Sequence, residues 1–172
     1  MIAIQPQAQS GRSPWQVWLF GLLGFWLSSC LVMDSIVMPS MYVSGMMEQP
    51  GFATAGYALF WVFNRLELVC AGAILTAVLG LFYSRHPWHR PGVLALLLAV
   101  GLLAIAALDT YGLTPQMSAL GLQLDWVSAQ ATVPAAMNRL HLAYWGLEGA
   151  KLAIVGTLLW RYLRPAFPVS QM

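Results

Sequence analysis

Four long apolar runs, separated by polar segments, set the pattern of the chain. As helices rising about 1.5 Å per residue, each run is long enough to cross the roughly 30 Å hydrocarbon layer of a membrane. Pro39 and Pro115 follow the first and third runs, at positions where a proline kinks or ends a helix. The pattern predicts an all-α integral membrane four-helix bundle. The runs are 14–33, 60–83, 93–111 and 136–160.

The polar segments divide the chain into two tandem helical hairpins. The predicted order is a tail, a hairpin, a basic loop, a second hairpin and a tail, at 1–13, 14–83, 84–92, 93–163 and 164–172. The basic residues outside the runs precede the first run, follow the last or lie in the central loop: Arg12, Arg85, Arg90, Arg161 and Arg164. By the positive-inside rule, both termini and the central loop are expected to be cytoplasmic, in a bacterial inner or a thylakoid membrane.

The two segments on the opposite side differ from each other. Residues 40–55 are rich in methionine and contain Pro50 and Gly51, which is typical of a turn-rich loop. Between residues 114 and 135, Leu120, Leu124 and Val127 recur at helical spacing. That spacing predicts a short interfacial helix on the membrane surface.

Composition agrees with a membrane protein. Hydrophobic residues make up 59% of the 172 positions and charged residues only 8%, where soluble domains carry about 25%. The net charge of +2 is small and dispersed, so a nucleic-acid partner is not expected. The expected partners are the lipid bilayer and either a larger membrane complex or further copies of the chain.

Charged residues inside the apolar runs need partners, because a buried charge costs several kcal/mol when it is unpaired. The motif Asn-Arg-Leu-x-Leu occurs twice, at Arg65 and at Arg139, and an aspartate occurs near the end of the first and third runs, at Asp34 and Asp109. All four side chains fall at a similar predicted depth. We therefore expect a structural ion-pair layer made of Asp34, Arg65, Asp109 and Arg139, which holds the helices together.

The same landmarks indicate an internal duplication. The two arginine motifs are 74 positions apart and the two aspartates are 75 apart. Two nearly equal offsets predict two copies of a two-span hairpin, related by an axis along the membrane normal.

A polar stripe is predicted on the last span. Asn138, His141, Glu148 and Lys151 fall close together on one helix face, and Glu67 corresponds to His141 in the other copy. One interpretation is a titratable path for protons or ions. The other is a self-contained Glu148–Lys151 pair, which apolar residues of similar volume would replace at little cost. The sequence leaves both open.

Metal and cofactor signals are weak. Cys30 and Cys70 lie in apolar runs and are interpreted as small buried side chains, although the segment 27–30, Leu-Ser-Ser-Cys, also resembles a bacterial lipoprotein signal. The methionines near residue 40 could bind Cu(I), but no histidine accompanies them. One membrane histidine does not suffice for a bis-histidine haem. The prediction is no metal and no cofactor.

Two short motifs resemble a known family, the small four-span proteins of unknown function related to human transmembrane protein 205. The segment 38–42, MPSMY, is similar to the family's Pro-x-hydrophobic-aromatic element, and 139–144, RLHLAY, is similar to its Arg-x-His motif. The resemblance implies a four-span fold. Glu148 and Lys151 stand in a region where the family tends to have a polar Asn.

Three classes of function fit these patterns. The first is a non-catalytic multi-pass membrane protein, acting as a subunit, an assembly factor or a partner-binding module. The alternative is a small transporter, or an ion or proton conductor, that uses the polar stripe on the last span. The third is metal or redox binding through His141, Glu67 and the methionines. No P-loop, dinucleotide fingerprint or nucleophile elbow indicates an enzyme.

Overall fold

The computed structural model describes residues 14–46, 49, 51–83, 92–127 and 135–163, most of which are helical. Two π-helical turns interrupt the α-helices, and each π turn continues directly into the next helix. In chain order the elements are α1 (Pro14–Val32), the first π turn (Met33–Val37), α2 (Met38–Val43), α3 (Phe52–Tyr83), α4 (Val93–Leu108), the second π turn (Asp109–Leu113), α5 (Thr114–Val127) and α6 (Ala135–Leu163).

Four helical segments are long and apolar enough to span a membrane, so the predicted all-α four-helix bundle is confirmed. Each has 29 to 32 residues. At about 1.5 Å per residue these helices are roughly 45 Å long, so they tilt in a hydrocarbon layer of about 30 Å or project into the headgroups. The four are Pro14–Val43, Phe52–Tyr83, Val93–Leu122 and Ala135–Leu163.

The four helices pack as a ring. Helix α1 packs against α3 and α6, and α4 packs against the same two helices. The inward faces therefore meet along one central axis. On α1 and at the start of the first π turn, the buried residues alternate by four and three positions, which keeps them on one helix face: Leu19, Leu23, Trp26, Cys30 and Met33.

Small residues allow close helix contacts. The inward face of α4 carries Ala95, Ala99 and Ala106, all buried. At Gly80 on α3, a Cβ atom would lie 2.9 Å from the indole ring of Trp15 on α1. The Trp15 ring therefore lies directly against the α3 backbone, where only glycine leaves room.

Both spans that carry a proline extend further than the sequence predicts. Helix continues to Val43, beyond Pro39, and to Val127, beyond Pro115. Each proline follows a π turn, whose wider i→i+5 bonding changes the backbone register just before the residue that lacks an N–H. Of the two outcomes expected at these prolines, a kink or an end, the structure shows a local deformation of one continuous helix.

Two predicted connections are corrected as a result. The loop expected at 40–55 is shorter, because α3 begins at Phe52, and its turns use Gly45 and Gly51 at positive φ. The expected interfacial helix is instead α5, which continues the third span and packs against α3 and α6. The predicted tails at 1–13 and 164–172, and 84–91 of the basic loop, lie outside the described residues.

Candidate functional site

A lysine ammonium group lies at the centre of the bundle. Lys151 on α6 is fully buried, and its Nζ atom is 2.6 Å from Glu67 Oε1 on α3 and 2.7 Å from Glu148 Oε2 on α6 itself. A third carboxylate oxygen, Asp109 Oδ2, is 3.7 Å away. These contacts join α6 to α3, on the opposite side of the ring, and to the second π turn, which follows α4.

Every membrane span contributes an acidic group to this centre. Asp34 in the first π turn interacts with Glu148, while Asp109 begins the second π turn. The π turns therefore carry the two aspartates that face the axis. We call Asp34, Glu67, Asp109, Glu148 and Lys151 the central cluster.

Helix α1 supplies two further donors to Glu67. The indole Nε1 of Trp26 donates to Glu67 Oε1 at 2.9 Å, and the thiol of Cys30 donates to the same oxygen at 3.3 Å. With Lys151, this one oxygen receives three donors, all of them buried. Such donors stabilise an ionised carboxylate, because hydrogen bonds to a charged acceptor are stronger than neutral ones.

The central cluster has more acidic groups than cations. The cluster contains four carboxyl groups and one ammonium group, so full ionisation would leave three negative charges uncompensated by described residues. Asp34 Oδ2 and both oxygens of Asp109 have no hydrogen-bond partner among the described residues. Uncompensated charge in such an interior costs several kcal/mol per group. The cluster is therefore expected to hold protons on some of its carboxyl groups.

Two other titratable groups face the central cluster. The buried hydroxyl of Tyr144 on α6 interacts electrostatically with the cluster's carboxyl groups and has no hydrogen-bond partner in the described part of the chain. Cys70 on α3 is buried and interacts with Glu67, one turn away. Both are neutral in their ordinary forms, so neither adds a cation.

The structure does not bring the four residues of the predicted ion-pair layer together. Asp34 and Asp109 face the axis, but Arg65 is exposed, and its guanidinium group lies 3.6 Å from the centre of the Trp61 ring. Arg139 is also exposed, and neither arginine forms an ion pair with a described residue.

Helix geometry explains this correction to the predicted layer. Arg65 is two residues from the buried Glu67, and two residues correspond to about 200° around a helix. Arg139 has the same relation to the buried Met137. Each arginine therefore projects away from the axis that the carboxyl groups share.

The predicted polar stripe is divided in the same way. Glu67, Glu148 and Lys151 belong to the central cluster, but Asn138 and His141 are exposed. The Nδ1 atom of His141 lies 3.0 Å from the backbone carbonyl of Met137, one turn earlier on its own helix.

The Glu148–Lys151 pair is not self-contained, because Lys151 also pairs with Glu67 across the bundle. Sequence reasoning also missed the donors Trp26 and Cys30. Both residues belong to the set on α1 that alternates by four and three positions. That pattern places them on the inward face, so it could have indicated that they contact groups on the bundle axis.

Three side chains of the site could offer ligands to a metal ion. Ligand atoms of Cys30, Glu67 and Glu148 lie within 4.8 Å of one another. The ammonium group of Lys151 lies within 2.7 Å of both carboxylates, so it already provides their positive charge. A cation at this place would have to displace Lys151.

The chain was compared with protein-family models, with characterised proteins and with solved structures, and none of the three comparisons finds a match. The resemblance to the proteins related to transmembrane protein 205 therefore stays a prediction from two short motifs.

Proposed function

We propose that this protein is a small proton-coupled membrane transporter whose central cluster binds and releases protons. The observation that carries the proposal is a cluster of four carboxyl groups, one from each span, with a single ammonium group, whose Nζ atom lies within 3.7 Å of three of the carboxyl groups. Ionisable groups inside membrane spans most often mark ion or proton pathways. Because every span takes part, a change in proton content alters the attraction between all four helices.

The number of carboxyl groups favours this role over a purely structural one. A cluster that only holds helices together needs one carboxylate to neutralise Lys151. Glu67 is sufficient for that, because its Oε1 atom accepts hydrogen bonds from Lys151, Trp26 and Cys30. Asp34, Asp109 and Glu148 add acidic groups beyond neutrality. A structural role alone does not explain these three additional carboxyl groups, whereas a proton-binding role explains them.

The other class, a non-catalytic subunit or assembly factor, stays a prediction, and it makes a different demand. In that class the proton content of the central cluster is fixed, and its carboxyl groups do not change protonation state at moderate pH. In the transporter class they do. Proton binding by the purified protein therefore separates the two.

The test is infrared spectroscopy of the carboxyl groups in lipid nanodiscs as the pH is changed between about 5 and 8. We expect a protonated-carboxyl signal that falls as the pH rises, and we expect Asp109→Asn to remove part of it. His141→Phe is the matched control, since that residue is exposed and lies outside the central cluster. A parent protein whose carboxyl signal is constant over this range, or identical to that of Asp109→Asn, would rule out the proposal.

We also propose the internal duplication and the membrane orientation that the sequence predicts. The two aspartates lie in or at the start of π turns, and a proline follows each turn, which supports two copies of one hairpin. The basic residues of the sequence support cytoplasmic termini. Labelling of a cysteine introduced at Gln49, between the first two spans, should occur from the non-cytoplasmic side.

A further inference from the structure

A groove on the side of the bundle is separate from the central cluster. It lies between α3 and the segment formed by the second π turn and α5, and its volume is about 150 Å³. Three aromatic side chains, Tyr57, Trp61 and Tyr111, form much of its wall. We call it the side groove.

One residue that lines the side groove, Asn64, has a buried hydrogen-bond acceptor without a partner among the described residues. Asn64 lines the groove and is only 1% exposed; its Nδ2 atom donates to Thr114 Oγ1 at 2.6 Å. Its Oδ1 atom has no hydrogen-bond partner among the described residues. A buried acceptor without a donor is unfavourable, so the groove is suited to a ligand that brings one.

A guanidinium group at the rim of the side groove supplies a positive charge and hydrogen-bond donors. Arg65 lines the groove, lies over Trp61 and donates from Nη1 to the Trp61 carbonyl at 3.3 Å. A guanidinium group has five N–H donors, which leaves several for a ligand, and its planar fork matches a carboxylate. No described carboxylate pairs with Arg65.

The side groove borders the central cluster. Asn64 is one helical turn from Glu67 on α3, and Thr110, another lining residue, directly follows Asp109. A molecule in the groove therefore touches the same two backbone segments that carry two of the cluster's carboxyl groups.

We propose that the side groove binds a small organic carboxylate that carries a hydrogen-bond donor next to the carboxylate, as hydroxy acids and amino acids do. The carboxylate pairs with Arg65, and the hydroxyl or ammonium group donates to Asn64 Oδ1. The hydrocarbon part lies against Trp61 and Tyr111. A cavity of about 150 Å³ holds a molecule the size of benzene, which fits a ligand of roughly six heavy atoms. The inference rests on the proposed transport function in one respect, which is that it treats this ligand as the transported solute.

The test compares lactate, L-alanine and propionate, because propionate lacks only the donor. Binding is measured by titration calorimetry on the full chain in lipid nanodiscs. We expect lactate and L-alanine to bind about tenfold more tightly than propionate, as one hydrogen bond to a buried acceptor allows. Asn64→Leu should reduce lactate binding to the level of propionate.

Two arginine variants test the carboxylate contact. Arg65→Gln should weaken the binding of all three compounds about tenfold, because each loses its charged partner. Arg139→Gln is the matched control, since this exposed arginine stands in the corresponding motif but does not line the groove. If Asn64→Leu does not fold, the ratio of lactate to propionate affinity in the parent protein decides the same point.

Several results would overturn the inference. One is equal affinity for lactate and propionate in the parent, and another is an Arg65→Gln variant that binds all three compounds like Arg139→Gln. Displacement of lactate by anionic lipid in the nanodisc, but not by free phosphate, would make the groove a lipid headgroup site. The infrared test of the central cluster is independent, so loss of either proposal leaves the other standing.

Discussion

Lys151 Nζ lies 2.6 Å from Glu67 Oε1, although 84 positions separate the two residues in the chain. The pair connects α6 to α3 through the bundle axis. Because Glu148 and Asp109 approach the same ammonium group, the pair is part of a larger set of charges. The stability of the bundle should therefore depend on Lys151 more than on any exposed charge.

Replacing Lys151 tests that dependence. Lys151→Met should lower the free energy of unfolding by about 3–5 kcal/mol, because it leaves Glu67 and Asp109 without a cation. Adding Glu67→Gln should recover part of the loss. The measurement is equilibrium unfolding in mixed micelles. A Lys151→Met protein as stable as the parent would show that the carboxyl groups need no ammonium partner.

Asp109→Asn should be tolerated, in contrast to Lys151→Met. It removes one carboxyl group from a cluster that has an excess of them, keeps a similar shape and leaves Glu67 and Glu148 paired with Lys151. We expect a free energy of unfolding equal to or above that of the parent in the same assay. A loss of several kcal/mol would mean that the Asp109 carboxylate is required as a partner of Lys151.

The hydrogen bond from Trp26 to Glu67 should show coupling in a double-mutant cycle. Trp26→Phe keeps most of the ring but removes the N–H, so the cycle with Glu67→Gln should give a coupling energy of about 1–3 kcal/mol. Trp18→Phe on the same helix is the control, since Trp18 is 69% exposed. Equal coupling for Trp18 and Trp26 would contradict the observed contact.

The contact between Trp15 and Gly80 should make the glycine difficult to replace. Gly80→Ala forces the indole ring away and should cost about 1–3 kcal/mol of unfolding free energy. Gly72→Ala on the same helix is the control, because nothing lies within 4 Å of the added carbon, and helix propensity there favours alanine by up to about 1 kcal/mol. Similar effects at both positions would argue against close packing of α1 on α3.

Neither exposed arginine should matter much for stability. Arg65→Ala removes a cation–π contact and a long hydrogen bond, and Arg139→Ala removes no ion pair with a described residue. Each change should cost less than about 1 kcal/mol in the same unfolding assay. A loss of several kcal/mol at Arg65 would restore the Asp/Arg layer that the sequence predicts.

The spans could be predicted because hydrophobicity is a local property of the chain, whereas the pairing of charges depends on how each helix is rotated. Arg65 and Glu67 must face opposite sides of α3. Which of them faces the axis is decided by the donors on α1 and α6, which the sequence near residue 65 does not contain. The same limit explains why Lys151 could be paired with Glu148 on its own helix but not with Glu67.

The path of the chain beyond each proline could not be predicted for a different reason. A proline in a regular α-helix either kinks or ends it, and the sequence does not decide between the two at Pro39 and Pro115. The π turns at Met33–Val37 and Asp109–Leu113 change the regular α-helical bonding before the proline is reached. No period in the hydrophobic pattern encodes such a turn.

The position of Lys151 on α6 has a consequence for biosynthesis. Spans enter the membrane in the order of translation, so Asp34, Glu67 and Asp109 reach the bilayer before the only cation of the central cluster has been made. Until α6 arrives, the three carboxyl groups must be protonated or remain near the aqueous interface. The last span therefore completes assembly, and a nascent chain that ends before residue 135 should be a substrate for membrane quality-control proteases.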